Sequence, residues 1–96
     1  MGHSMANRLG KYLQNLRHAK GVTTRKLGSL AHCNHSFISR LESGERLPSL
    51  DRLWQLIEVL EGDFGQALFL LCLDSGVPEG TARKATQWVE ARRNWV

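Results

Sequence analysis

The chain has 96 residues, of which 42% are hydrophobic and 23% are charged. This composition is typical of one globular domain, and it excludes a disordered chain and a pair of full-sized domains. The longest apolar run, residues 67–73, is too short to span a bilayer, so we expect no membrane partner. No secretory signal opens the chain, and its two cysteines fit a reduced, cytoplasmic protein. The first five residues, MGHSM, are typical of an added expression sequence and are expected to be disordered.

Positive charge is concentrated in the first half of the chain. Residues 1–48 carry eight basic and two acidic side chains, a net charge of +6. Residues 49–96 carry five basic and seven acidic side chains, a net charge of −2. A basic half can bind a polyanion or can be only a solvated face, and charge alone leaves both interpretations open.

The first three predicted helices are short and amphipathic. Helix one ends near Gly21, and its apolar stripe consists of Leu9, Tyr12, Leu13 and Leu16. Thr23 is a suitable N-cap for helix two, and Asn34 is one for helix three, which ends at Gly44. The apolar residues of helices two and three are Leu27, Leu30, Ala31, Ile38 and Leu41.

Three further helices are predicted after a break at Pro48. Ser49 and Asp63 are suitable N-caps for helices four and five, and Gly62 ends helix four. Helix five is expected to end at residue 73, and helix six to run from about residue 78 to residue 95. The residues that helix four is expected to direct inward are Leu50, Leu53, Trp54, Ile57 and Leu60. The sequence therefore predicts an all-α fold of five or six helices.

Helices two and three form the most informative pair. Only about three residues, 32–34, separate them, and so short a turn favours the steep crossing of a helix-turn-helix. In that arrangement the N-terminal end of the second helix is presented outward, with its positive dipole end towards phosphates. The outward face of helix three carries His35, Ser36, Ser39, Arg40 and Ser43. These side chains lie in the basic half of the chain, which favours a nucleic-acid surface over plain solvated residues.

Four segments together form a specific signature: LxxLR at 13–17, KG at 20–21, ISRLESG at 38–44, and PSL at 48–50 followed by Leu53. They resemble the helix-turn-helix domain of the Cro/lambda-repressor (XRE) family. The resemblance covers residues 9–60 and keeps the spacing of helices one to four. It implies a lambda-repressor-like fold and recognition of double-stranded DNA.

The resemblance also implies roles for individual side chains. The residues that would contact base edges are His35, Ser36, Ser39 and Arg40. The residues that would contact phosphates or assist are Thr24, Arg25, Asn34, Phe37 and Arg46. Arg17 and Glu42 would pair as a structural clamp. Because an arginine can donate two hydrogen bonds to O6 and N7 of guanine, Arg40 is expected to discriminate better than the two serines.

Four positions depart from the family pattern. Thr24 replaces a frequent glutamine, and Glu45 places an acid in a loop that is often basic. Gly28 replaces an alanine, and His32 replaces the glycine of the turn. We therefore expect His32 either in a left-handed backbone conformation or in a rearranged turn.

The sequence gives no indication of an enzyme, a metal or a cofactor. It contains no recognisable catalytic set or phosphate-binding glycine loop. His32, Cys33 and His35 could supply zinc ligands, but a structural zinc site needs four ligands and no second pair is visible. Cys33 matches a family position that is normally buried and apolar, so we expect it to pack in the core.

The apolar C-terminal third indicates an interface. Residues 67–73 are apolar on every side of helix five, so this helix must be covered on more than one side. We expect residues 6–74 to form the helix-turn-helix domain and residues 75–96 to dimerise, or alternatively to close a monomer's core. The expected dimer interface consists of Phe69, Trp88, Val89 and Trp95.

Two functions are compatible with these features. The first is a DNA-binding transcriptional regulator, expected to be a repressor, that binds an inverted-repeat operator as a homodimer. The second is an antitoxin or adaptor that binds a partner protein through its C-terminal apolar helices and regulates its own operon.

Overall fold

The computed structural model describes residues 7–93, except for the side chains of Trp88 and of residues 90–93. Within this range the chain forms six α-helices and no strand, so the predicted all-α class is confirmed. The helices are α1 (Arg8–Lys20), α2 (Thr24–Ala31), α3 (His35–Ser43), α4 (Leu50–Leu60), α5 (Phe64–Asp74) and α6 (Glu79–Arg93). No described helix is long and apolar enough to cross a membrane. The predictions for residues 1–5 and Trp95 lie outside the described residues.

Side-chain caps determine where four of the helices begin. Thr23, Asn34, Ser49 and Asp63 each accept a hydrogen bond from a backbone N–H in the first turn of α2, α3, α4 and α5. Each cap satisfies one of the N–H groups that have no partner inside the helix. The beginning of α1 is capped differently, because the N–H of Leu9 donates to Asp74 at the end of α5, at 2.9 Å. The end of α5 therefore holds the start of α1.

Each of the first four helices ends at a residue in the left-handed backbone conformation. Gly21 and Gly44 have φ values of 75° and 86°, as their predicted positions at helix ends require. The prediction for α4 was wrong by one residue, since Glu61, with a φ of 58°, is the left-handed residue rather than Gly62. A Cβ at Gly62 would lie 2.6 Å from Leu16 Cδ1, so a larger residue there would require the Leu16 side chain to shift.

One apolar core joins the first five helices. α1 packs against α3, α4 and α5, while α2 packs against α3 and α4. The buried core residues are Leu9, Leu13, Leu27, Ala31, Ile38, Leu41, Leu53, Leu56, Ile57, Leu60 and Ala67. This core sets the angle at which α2 and α3 are displayed.

Two residues predicted to point inward from α4 are exposed. Leu50 is 58% exposed and Trp54 is 47% exposed, whereas Leu56 is buried. The inward stripe consists of Leu53, Leu56, Ile57 and Leu60, and Trp54 lies about 100° around the helix from Leu53. Its ring instead contacts Phe64 in an edge-to-face arrangement, with centroids 5.1 Å apart. Leu30 on α2 is also exposed, at 41%.

Helix α6 folds back onto α5 within one chain. The α6 residues Ala82 and Thr86 are buried, and the Arg83 guanidinium lies 4.8 Å from the centroid of the Phe69 ring. Residues 68–73 of α5 nevertheless remain only partly buried. The described part of α6 therefore covers α5 incompletely, which leaves dimerisation a prediction.

Candidate nucleic-acid interface

The corner between α2 and α3 is closed by two backbone hydrogen bonds to one acceptor. The N–H groups of His32 and Cys33 both donate to the carbonyl oxygen of Gly28, the latter at 2.9 Å. His32 has a φ of 58° and a ψ of 44°. It therefore adopts the left-handed backbone conformation, which was one of the two conformations predicted for it. A left-handed conformation costs a non-glycine residue about 1–2 kcal/mol, which the surrounding contacts must offset.

Gly28 allows the corner to be this tight. A Cβ at this position would lie 2.6 Å from the Cys33 carbonyl oxygen and 3.3 Å from the His35 nitrogen. The alanine typical of the family therefore does not fit this turn without a shift of the backbone. Cys33 is partly buried and packs against the core. Burial raises the pKa of its thiol, and the positive charge of Arg52 opposes that rise.

The four side chains predicted to contact base edges lie along one open concavity of about 470 Å³. Ser36, Ser39 and Arg40 are exposed, and His35 is partly buried at the start of α3. Ser43 and Glu45 complete the lining. Hydroxyl, imidazole and guanidinium groups are all able to form hydrogen bonds with base edges in a major groove. We call this surface the reading face.

Groups suited to phosphates flank the reading face. The side-chain oxygen of Asn34 accepts a hydrogen bond from the Ser36 N–H at 2.7 Å, so only its amide NH₂ is free to donate outward. Arg25, in the first turn of α2, is exposed and has no ion-pair partner among the described residues. Thr24 beside it is partly buried. The first turns of both helices also offer backbone N–H groups, which bind anions.

Phe37 supports a pair of arginines at the edge of this surface. The guanidinium groups of Arg46 and Arg52 each lie 5.8 Å from the centroid of its ring, a distance at which a cation is attracted to the ring face. Phe37 itself is partly buried against the core. Arg52 also donates to the carbonyl oxygen of His32 at 3.4 Å and to Gln55 at 3.1 Å. Arg52 was not predicted as a site residue, because its contact with the turn joins segments twenty residues apart.

An ion pair lies within the reading face. The Nε atom of Arg40 is 3.7 Å from Oε1 of Glu45, and the two side chains are 55% and 68% exposed. The backbone N–H of Glu45 donates to the carbonyl oxygen of Arg40 at 2.9 Å. The acidic departure at position 45 is therefore next to the residue predicted to read guanine.

Arg17 and Glu42 are in direct contact, in the arrangement that the resemblance implied. Nε and Nη2 of Arg17 donate to the two carboxylate oxygens at 2.6 and 3.0 Å, and Nη1 donates to the Val22 carbonyl oxygen at 2.9 Å. The side chains are only 11% and 6% exposed. The hydrogen bond with Glu42 is the main cause of a raised pKa for Arg17. The pair neutralises a carboxylate on α3 and ties that helix to α1.

Gly10 is a second link between α1 and α3 that the sequence analysis missed. A Cβ there would lie 2.5 Å from the Leu41 carbonyl oxygen and 2.6 Å from that of Glu42. The backbones of the two helices are thus in near contact. A glycine inside a helical pattern was the available signal.

The remaining predicted sites are less well defined. Phe69 lies under Arg83, and Val89 is partly buried beside Trp54 and Phe64, where it lines a groove of about 320 Å³. The Trp88 side chain lies outside the described residues. Among the described residues, no group of three His, Cys, Asp or Glu could hold a metal ion, so the zinc alternative gains no support.

Six helices with a tight corner and an exposed polar face on the second helix of the pair define a helix-turn-helix protein. A family described as "Helix-turn-helix domain" matches residues 8–68, and the chain belongs to that family. The match runs from α1 into α5 and agrees with the resemblance to Cro/lambda-repressor proteins. A comparison with curated proteins gave no significant match.

Proposed function

We propose that the protein is a cytoplasmic, sequence-specific transcriptional repressor that places the N-terminal half of α3 in the major groove. The observation that carries this proposal is the reading face, where His35, Ser36, Ser39 and Arg40 share one concavity on the helix-turn-helix. Arg25 and Arg46 flank it and would hold the phosphates of either strand. The net charge of +6 in residues 1–48 supplies the attraction to DNA.

Specificity on a genomic scale requires a dimer. One helix-turn-helix contacts only a few base pairs, which discriminates poorly among competing sites. A two-fold dimer would bind an inverted repeat whose half-site centres are roughly 34 Å apart. We place its interface on α5 and α6, at Phe69, Trp88, Val89 and Trp95. The incomplete burial of residues 68–73 and the groove beside Val89 support this placement.

Selection of bound sites from randomised duplexes tests DNA recognition. The selected site should be an inverted repeat, and its affinity should fall steeply with salt as counterions are released. Arg40→Ala should relax the base preference at one position per half-site, a loss of about 1–3 kcal/mol. Arg25→Ala is the matched control and should weaken all duplexes alike. Flat salt dependence, or equal losses for both variants on every duplex, would contradict the proposal.

Sedimentation tests the dimer. The Trp88→Ala, Trp95→Ala double variant should be a folded monomer by circular dichroism and should bind the operator weakly. The intact protein should sediment as a dimer on the operator. If it stays monomeric there, or if the double variant unfolds, α6 closes a monomer's core instead.

One observation favours the second candidate function, an antitoxin or adaptor. Leu50 and Trp54 expose apolar surface on α4, beside the groove that Val89 lines. Exposed apolar patches of this kind mark protein-binding sites. Co-expression with the product of a neighbouring reading frame tests this function. Wild type should retain that product on purification, whereas Trp54→Ser should lose it while remaining folded by circular dichroism. Equal retention by both would contradict the adaptor function at this surface.

A further inference from the structure

A carboxylate lies on a surface that would face a polyanion. Glu45 is 68% exposed and lines the reading face together with Arg40. A negative charge in this position repels phosphates and lowers the affinity for every duplex. A second effect of Glu45, favourable to DNA recognition, would offset this loss of affinity.

The backbone holds Glu45 close to Arg40. The N–H groups of Glu45 and Arg46 donate to the Arg40 carbonyl oxygen at 2.9 and 3.2 Å, so the chain beyond Gly44 turns back over the last turn of α3. The Glu45 carboxylate thereby comes within 3.7 Å of one particular atom of the guanidinium, Nε. The helix end therefore places the backbone of Glu45 beside Arg40.

Contact through Nε leaves the other edge of the guanidinium free. Guanine offers two acceptors, O6 and N7, and reading them needs two donors in a fixed plane. An unrestrained arginine loses rotamer entropy when it adopts that plane. A carboxylate at Nε orients the group while its Nη1 and Nη2 atoms remain available to the base.

We propose that Glu45 is a positioning residue for base recognition, which orients Arg40 towards a guanine and lowers the affinity for DNA in general. This inference rests on the proposed function. It assigns to Glu45 a role in specificity, through Arg40, rather than a contact of its own with the DNA.

A double-mutant cycle between Glu45 and Arg40 tests the proposal. Affinities would be measured for the selected operator, for a duplex with the guanine replaced by 7-deazaguanine, which lacks the N7 acceptor, and for a random duplex. Glu45→Ala should bind the random duplex about 2- to 5-fold more tightly and should lose about 2- to 5-fold of the guanine preference, as expected for an exposed pair. In an Arg40→Ala background, Glu45→Ala should leave the base preference unchanged while still raising general affinity.

Asp51→Ala is the charge-matched control, since Asp51 is exposed in the first turn of α4 and lines neither the reading face nor the groove beside Val89. It should leave the guanine preference intact. If Glu45→Ala raises affinity but keeps the guanine preference, Glu45 acts only through its charge, and the inference fails while the proposed function stands. A preference that changes equally with and without Arg40 would mean that Glu45 contacts a base itself, which also overturns the inference. If wild type selects no duplex at all, the proposed function fails and the role of Glu45 fails with it.

Discussion

The ion pair between Arg17 and Glu42 allows a quantitative test of how α3 is held. Glu42→Ala removes both acceptors, at 2.6 and 3.0 Å, from an arginine whose side chain is only 11% exposed. Removing one partner of a buried ion pair costs about 3–5 kcal/mol. Arg17 keeps its hydrogen bond to the Val22 carbonyl oxygen, and its exposed edge can reach water. We therefore expect the lower end of that range, about 3 kcal/mol.

Urea unfolding followed by circular dichroism measures this loss. With a slope of about 1–1.5 kcal/mol per molar urea, the midpoint should fall by about 2–3 M. The matched control is Glu79→Ala, which breaks an ion pair with Arg83 at 2.7 Å whose partners are 67% and 61% exposed. The free energy of unfolding of that variant should fall by only about 0.5 kcal/mol, because exposed ion pairs contribute little to stability. Equal losses in the two variants would refute the claim that burial makes the Arg17 pair strong.

Replacing both members of the pair separates the charge from the packing. The Arg17→Met, Glu42→Leu double variant leaves no unpaired buried charge, so it should be more stable than either single variant with an orphaned partner.

The raised pKa of Arg17 gives the sign of its effect on stability as the pH changes. Its contribution is fully present below the unfolded pKa and is lost only as the pH rises through the higher folded value. Arg17 should therefore add no pH dependence to stability near neutrality.

Three further outcomes follow from single contacts. Gly28→Ala should lower the free energy of unfolding by about 1 kcal/mol, because its Cβ would meet backbone atoms at 2.6 Å. Gly80→Ala has open space around it and should stabilise the protein slightly in the same urea assay. A change of the same sign in both variants would contradict the close approach at Gly28. Asp74→Ala should cost about 1–2 kcal/mol in thermal unfolding because it removes the cap of α1, and a loss below about 0.3 kcal/mol would show that the cap is dispensable. In a Cys72→Ser variant, the pH midpoint of Cys33 alkylation should be higher in the folded protein than in urea, since burial raises the pKa of the thiol; coincident midpoints would contradict that burial.

Features that depend on neighbouring residues were predictable from the sequence. Thr23, Asn34, Ser49 and Asp63 cap their helices because each needs only an N–H two or three residues ahead. The outward face of α3 follows from helical periodicity, which is why its four predicted base-contacting residues share one concavity. Such features depend little on how the rest of the chain packs.

Features that depend on tertiary contacts were missed. Asp74 caps α1 from a helix 65 residues away, and Arg52 reaches the turn before α3. Trp54 was expected inside because residues 50, 53, 54 and 57 have helical spacing, but Leu56 completes the inward stripe and leaves Trp54 against Phe64. No local pattern reports which of two neighbouring apolar residues faces the core when a helix is apolar on more than one side.

The two family departures at the corner have a single physical explanation. Both His32 and Cys33 direct their N–H groups to the carbonyl oxygen of Gly28, and this requires a left-handed residue at position 32. The same pair of hydrogen bonds brings the Cys33 carbonyl back to 2.6 Å from where a Cβ of residue 28 would lie. A glycine at position 28 is therefore required by the tightness of this turn. Because α3 starts three residues after His32, this left-handed residue helps to set the direction in which α3 leaves the turn.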